Sequence, residues 1–191
     1  MPEYYKNIEG WFDFEDLYNR IVERSSDGAH FVEIGCWYGR STCYMAELIM
    51  ESGKKIRFDC IDVWRWHADD EAYASALQKN GGNILDVFVN NMKNAGVINQ
   101  MNTIQLSTFE AVKLYEDSSL DFLFVDDNHT EAHVYKELNG WISKLKPGAI
   151  LAGHDYYTGH NWNVTKAVND FVGEKGLALE VMNNSYWIEC N

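Results

Sequence analysis

The stretch Phe31 to Thr42, FVEIGCWYGRST, decides the fold. A short apolar run carrying Glu33 meets two glycines, Gly35 and Gly39, and then a helical pattern that begins near Ser41. Strand, glycine loop and helix in that order form the ligand cradle of an open α/β sheet. Glycine lets the backbone approach a ligand closely, and the helix N-terminus presents free N–H groups. The spacing is G-x-x-x-G, without the further glycine that opens the helix in the dinucleotide fingerprint. The ligand it implies depends less on phosphate.

Working outward, a second strand from Ile56 to Asp62 ends in a carboxylate roughly 25 residues after the glycine loop, where an acidic side chain can accept both ribose hydroxyls of a nucleoside. The plain alternative for Asp62 is a helix cap or a solvated strand end. Upstream, FEDLYNRIVER places Phe14, Leu17, Tyr18, Ile21 and Val22 on one helical face, with Asp13 as the expected N-cap. This helix either closes over the ligand edge of the sheet or packs on a sheet face. The helix after the glycine loop runs to Met50 and stops at Gly53.

Downstream the pattern predicts a helix from Leu85 to Ala95, a third strand from Thr103 to Leu106 and a short helix from Thr108 to Tyr115. Ser119 to Asp126, SLDFLFVD, is almost continuously apolar, as a strand buried on both faces should be. A helix over Thr130 to Leu145 follows, then Pro147-Gly148 turning into a fifth strand, AILAGHDY. A helix over Val164 to Val172, a strand over Leu177 to Met182, an Asn183-Asn184 turn and a strand over Tyr186 to Cys190 complete the chain. Alternating strands and helices imply a parallel sheet with right-handed crossovers, and the last two strands an antiparallel hairpin at its edge. The expected fold class is α/β: a three-layer, Rossmann-like, seven-stranded, mostly parallel sheet. A single domain spans 1–191, with an N-terminal helical extension over 1–28 and the core over 29–191.

The chain has 191 residues, a formal net charge of -13 and four cysteines. Such a surface repels nucleic-acid phosphates and anionic membranes. Cys36, Cys43, Cys60 and Cys190 show no metal-type pair spacing and read as free thiols of a reducing compartment. With no leader pattern and no apolar run of membrane length, a cytoplasmic location is expected.

With these residues placed, the chain resembles the class I S-adenosylmethionine-dependent methyltransferases from His30 onward. VEIGCWYGRS is similar to the loop that holds the methionine portion, FDCID to the ribose strand, and FLFVDDNHTEAHVYKELNGWISKLKPGAILAGHDY to the two central strands and their helix. The last block looks like a small-molecule O-methyltransferase subfamily with a G-H-D-Y sequence on strand five, Ala149 replacing a glycine. The resemblance implies S-adenosylmethionine as cofactor. Glu33, Gly35 and Gly39 would line its methionine portion, Asp62 would hold its ribose, Ser107 or Thr108 would lie near its adenine, and Asp126 would face its sulfonium or the substrate, with Cys36, Ser41 and Val63 also lining the cofactor.

Strands four and five of such a sheet are neighbours, so Asp126, Asp127, His129, His154 and Asp155 should gather at its ligand edge. One reading is a divalent metal, Mg²⁺ or Mn²⁺, held by Asp126, His154 and Asp155. Metal-dependent O-methyltransferases of catechols and macrolide sugars carry acidic ligands at similar positions, although usually not a histidine at the first position after strand five. A second reading is a metal-free general base, His129 or His154, oriented by an aspartate. A third is purely structural: Asp127, His129 and Thr130 capping the next helix, with His133 a surface or packing residue.

The expected reaction is in-line methyl transfer to a hydroxyl of a small molecule, sugar-like or phenol-like. Trp64, Trp66, His67, Tyr156, Tyr157, His160, Trp11 and Phe12 would form the acceptor wall. Aromatic packing is the alternative for Trp64, Trp66 and His67. Two rivals are an iron-dependent hydroxylase on the same fold and a non-catalytic cofactor-binding module. A homo-oligomer paired through the aromatic N-terminal helix is a further expectation.

Overall fold

The computed structural model describes residues 2–65, 71–157 and 163–191. Seven strands form one sheet: β1 (His30–Ile34), β2 (Arg57–Asp62), β3 (Asn102–Gln105), β4 (Leu120–Val125), β5 (Leu145–Gly153), β6 (Leu179–Met182) and β7 (Ser185–Glu189). Their order is β3-β2-β1-β4-β5-β7-β6. The first five are parallel, whereas β7 runs antiparallel to both β5 and β6. The order reverses between β1 and β4, so the ligand-binding switch point lies at their C-terminal ends.

Seven α-helices accompany the sheet among the described residues: α1 (Glu15–Arg24), α2 (Arg40–Ser52), α3 (Glu71–Lys79), α4 (Ile84–Asn94), α5 (Thr108–Ala111), α6 (Glu131–Trp141) and α7 (Val164–Lys175). The central strands are buried on both faces, and alternate side chains feed two cores. Phe31, Phe58, Phe122 and Phe124 join Leu17, Tyr18, Met45, Ile49, Phe88 and Met92 of α1, α2 and α4. Val32, Ile61, Leu123 and Val125 join Leu138, Trp141, Val168 and Phe171 of α6 and α7. This three-layer arrangement is the one expected, including the terminal hairpin.

Three local expectations are corrected. Helix α3 carried no decisive period and was not anticipated. Strand β5 starts at Leu145 and runs through Pro147; its pairing with β4 shifts register between Leu120 and Phe122. A proline that cannot donate to the ladder is tolerated at such an irregularity. Asp13 does not cap α1, whose N-cap is Phe14 without a side-chain cap bond. The alternatives for α1 both apply to it: Tyr18 packs edge-on to Phe124 at 5.1 Å on the sheet face, while Phe14 reaches the ligand edge, 5.0 Å from the His154 ring. Its apolar face is therefore taken up in the chain's own core.

Candidate active site

The C-terminal end of β1 meets those of β4 and β2 in close backbone contact. Asp126 N donates to Ile34 O at 2.9 Å, and Gly35 N donates to Ile61 O at 2.9 Å. A Cβ on Gly35, whose φ is 85°, would stand 2.0 Å from Asp126 O. A Cβ on Gly39, φ 90°, would meet Met92 Cε at 2.6 Å and the Phe88 ring. Packing within the chain therefore requires both glycines, before any ligand is considered.

Glu33 is buried at the end of β1, and Ser41 donates to its Oε1. Burial pushes its carboxyl up to about 7, opposed by the hydroxyls of Ser41, Thr42 and Tyr18 and assisted by the charge of Asp126. Its Oε2 has no hydrogen bond of good geometry. Cys36 lies buried beside it, its Sγ 3.6 Å from both Glu33 O and Ile61 O. All four cysteines are free.

Asp62, at the end of β2, accepts from Trp37 N at 2.9 Å through one oxygen and from Trp64 N at 2.7 Å through the other. Trp64 Nε1 returns to Trp37 O at 2.8 Å. One carboxylate thus ties together the loops after β1 and β2. Trp37 and Trp64 both have positive φ, 50° and 44°, as does Asp155 at 60° after β5. Non-glycine residues in this region cost about 1–3 kcal/mol each and cluster at ligand sites. Val63 holds the same corner, its carbonyl accepting from Gln105 Nε2 at 3.1 Å.

Of the adenine-side pair, Ser107 caps α5 in a reciprocal box with Glu110, its Oγ 2.6 Å from Glu110 Oε2. Thr108 is buried, and its hydroxyl accepts from Trp141 Nε1 at 2.8 Å, facing α6 and not the sheet edge.

The acidic and histidine residues do converge. His129 Nε2 lies 3.3 Å from Asp126 Oδ1 and 2.8 Å from Asp155 Oδ2. His154 Nδ1 lies 3.4 Å from Asp155 Oδ1, and its Nε2 is 2.8 Å from Asp13 Oδ1. Burial opposes a charge on His129, yet hydrogen bonds and attraction from Asp126 and Asp155 hold its imidazole up to about 10. Burial likewise opposes ionisation of Asp155, and His129 still keeps that carboxyl below its usual range. Set between two carboxylates, the His129 imidazole favours its charged form. Asp126, His154 and Asp155 also bring donor atoms within 4.8 Å of one another, a set suited to a divalent cation.

Asp13 carried no sequence signal for this site, because only tertiary packing of the N-terminal segment brings it here. The expected aromatic wall divides. Trp64 is fully buried against Phe88 at 4.8 Å, and Phe12 packs on Phe14 at 4.6 Å. Tyr156 is buried and donates to Asn169 Oδ1 at 2.8 Å. Trp11 and Tyr157 are exposed, 76% and 65%. Trp66, His67 and His160 lie outside the described residues. A separate cavity of about 290 Å³, bordered by Arg24, Asp121 and Lys146, opens at the opposite end of the sheet and contains none of these groups.

Residues 32–156 match the family described as Methyltransferase domain. An uncharacterized protein, y4gI, of Sinorhizobium fredii (strain NBRC 101917 / NGR234) is 28% identical over 127 residues. That match covers 65% of this chain but 13% of the much longer relative. Among solved structures, the O-methyltransferase NovP superposes with a TM-score of 0.68 at 16% identity, covering 92% of this chain and 78% of NovP. The cofactor-bound Rv0187 of MTB gives 0.64 at 11% identity, covering 98% and 86%. At these identities the structural likeness concerns the fold. No helix among the described residues is long and apolar enough to cross a membrane.

Proposed function

The chain belongs to the Methyltransferase domain family, and we propose that it transfers the methyl group of S-adenosylmethionine to a hydroxyl of a small molecule. The observation that carries this reading is the convergence of three carboxylates, Glu33, Asp62 and Asp126, on the β1/β4 switch point. A cofactor with a cationic sulfur, an α-amino group and two ribose hydroxyls suits acidic acceptors better than phosphate-binding amides. The buried Glu33 Oε2, which makes no hydrogen bond of good geometry, supports the fit. When bound, this cofactor supplies an electrophilic methyl group for in-line displacement.

The chain's own task is to position the acceptor oxygen and take its proton. His154 is the proposed base. Asp155 faces its Nδ1 and orients the ring, while Nε2 points to Asp13, a side chain 64% exposed that an acceptor hydroxyl can displace. The imidazolium of His129 balances Asp126 and Asp155. A second reading is favoured by the donor set of Asp126, His154 and Asp155: these residues would hold a divalent cation, which would balance the carboxylates as His129 does and lower the acceptor pKa.

Calorimetric titration of S-adenosylmethionine into wild type and Asp62→Asn, with EDTA or with Mg²⁺ or Mn²⁺, tests the assignment. Wild-type binding near about 1 μM, weakened at least tenfold in the variant, supports it. A metal requirement for S-adenosylhomocysteine release with hydroxyl acceptors selects the second reading. Absence of binding in every condition overturns both.

A further inference from the structure

A second donor cluster lies behind the first, on the α6 side of the loop after β4. Asp127, His133 and Glu137 each offer a ligand atom, and these atoms lie within 4.8 Å of one another. His133 and Glu137 are four residues apart on α6 and therefore share one face of the helix. His133 Nε2 is 3.3 Å from Asp127 Oδ2, in ion-pair range. The sequence alone marked His133 only as a surface or packing residue.

Glu137 is the independent observation. It is fully buried, and neither of its carboxylate oxygens makes a hydrogen bond of acceptable geometry. Burial drives its carboxyl well above the ordinary range, the charge of Asp127 adds to the rise, and the nearby Thr108 hydroxyl opposes it. A buried carboxylate without well-formed hydrogen bonds is costly. The usual compensation is a proton or a cation. Here two further ligands already face the same point, and His133 is held by the Phe109 ring at 4.9 Å.

We propose that Asp127, His133 and Glu137 form a divalent-cation site for a borderline transition ion such as Zn²⁺, one that fixes α6 to the loop carrying Asp126 and His129. One imidazole with two carboxylates favours such an ion over Mg²⁺, which prefers oxygen ligands only. The site is distinct from the cluster of Asp126, His154 and Asp155, and it does not depend on the methyl-transfer reading.

The test is calorimetric titration of Zn²⁺ alone into the full chain carrying His154→Ala and Asp155→Asn, which removes the cluster of Asp126, His154 and Asp155, with Cys36→Ser added so that the buried set of Glu33, Cys36 and Cys60 does not compete. One equivalent of Zn²⁺ is expected, weakened at least tenfold when Glu137→Gln or His133→Ala is added, with cooperative melting retained. No bound Zn²⁺ in this background, or affinity unchanged by both additions, overturns the proposal. Because Glu137→Gln touches the core, Mn²⁺ electron spin-echo measurements give a second readout. In the His154→Ala, Asp155→Asn background nitrogen modulation should be present and should vanish when His133→Ala is added; its absence before that addition, or its persistence after it, overturns the proposal.

Discussion

Asp13 Oδ1 lies 2.8 Å from His154 Nε2, joining two residues 141 positions apart in the chain. The contact places the N-terminal extension within the candidate site. Because Asp13 is 64% exposed, the pair is screened and contributes at most about 1 kcal/mol to stability. Phe14, next to it, is buried at 4.6 Å from Phe124. Asp13→Ala should therefore leave the urea midpoint nearly unchanged, whereas Phe14→Ala should lose about 3–5 kcal/mol. A loss above about 2 kcal/mol in Asp13→Ala would show that this contact is a structural clamp.

His129 should remain protonated at pH 8 in the metal-free protein, since Asp126 and Asp155 hold it up to about 10. Its folded value exceeds the unfolded value of about 6.5, so its contribution to stability is complete below that pH and is lost as pH rises through about 10. His129→Gln should thus destabilise most at pH 6 and progressively less toward pH 10. Nitrogen chemical shifts of the ring read the protonation directly; a midpoint near 6.5 would sink the charge-balancing role.

Glu33 changes stability with pH in the same direction, but by a different cause: burial of its charged form rather than attraction from neighbours. Its carboxyl is pushed up to about 7 by burial, above an unfolded value near 4.5. Between those values the folded state holds the extra proton, so stability falls as pH rises from about 4.5 to 7. Relative to wild type, Glu33→Gln should gain about 3 kcal/mol between pH 4.5 and pH 8, at 1.36 kcal/mol per unit. Chemical denaturation at the two pH values measures this; a flat difference contradicts the buried, half-protonated state.

Gly35 and Gly53 both have positive φ, but only Gly35 is closed in by backbone, with Asp126 O 2.0 Å from a Cβ; nothing lies within 4 Å at Gly53. Gly53→Ala should cost about 1 kcal/mol. Gly35→Ala must also push β1 from β4, and its loss should exceed about 3 kcal/mol and abolish binding of S-adenosylmethionine. Equal losses at the two positions would refute the close-contact explanation.

The layer architecture was legible because it follows from periodicity. The unbroken apolar run of β4, the alternation of strand and helix, and the helix end at Gly53 are local signals with a local physical cause. The register irregularity at Pro147 was not legible, because Pro-Gly reads as a turn wherever it stands and only pairing with β4 decides otherwise. Trp64 shows the same limit: an aromatic after a strand end fits a ligand wall or a packed corner, and burial against Phe88 chose the corner.

By itself the sequence determined which chemistry is present: the acidic strand ends Glu33, Asp62 and Asp126, the glycine loop, and the histidines near Asp155. Tertiary structure alone decided how these groups are paired. It set His129 between two carboxylates, brought Asp13 to His154, and enclosed Glu137 with His133 and Asp127. The reason is physical. Strand and helix patterns depend on neighbours a few residues away, whereas a side chain's charge state and partners depend on distances of 3 to 5 Å between segments far apart in the chain.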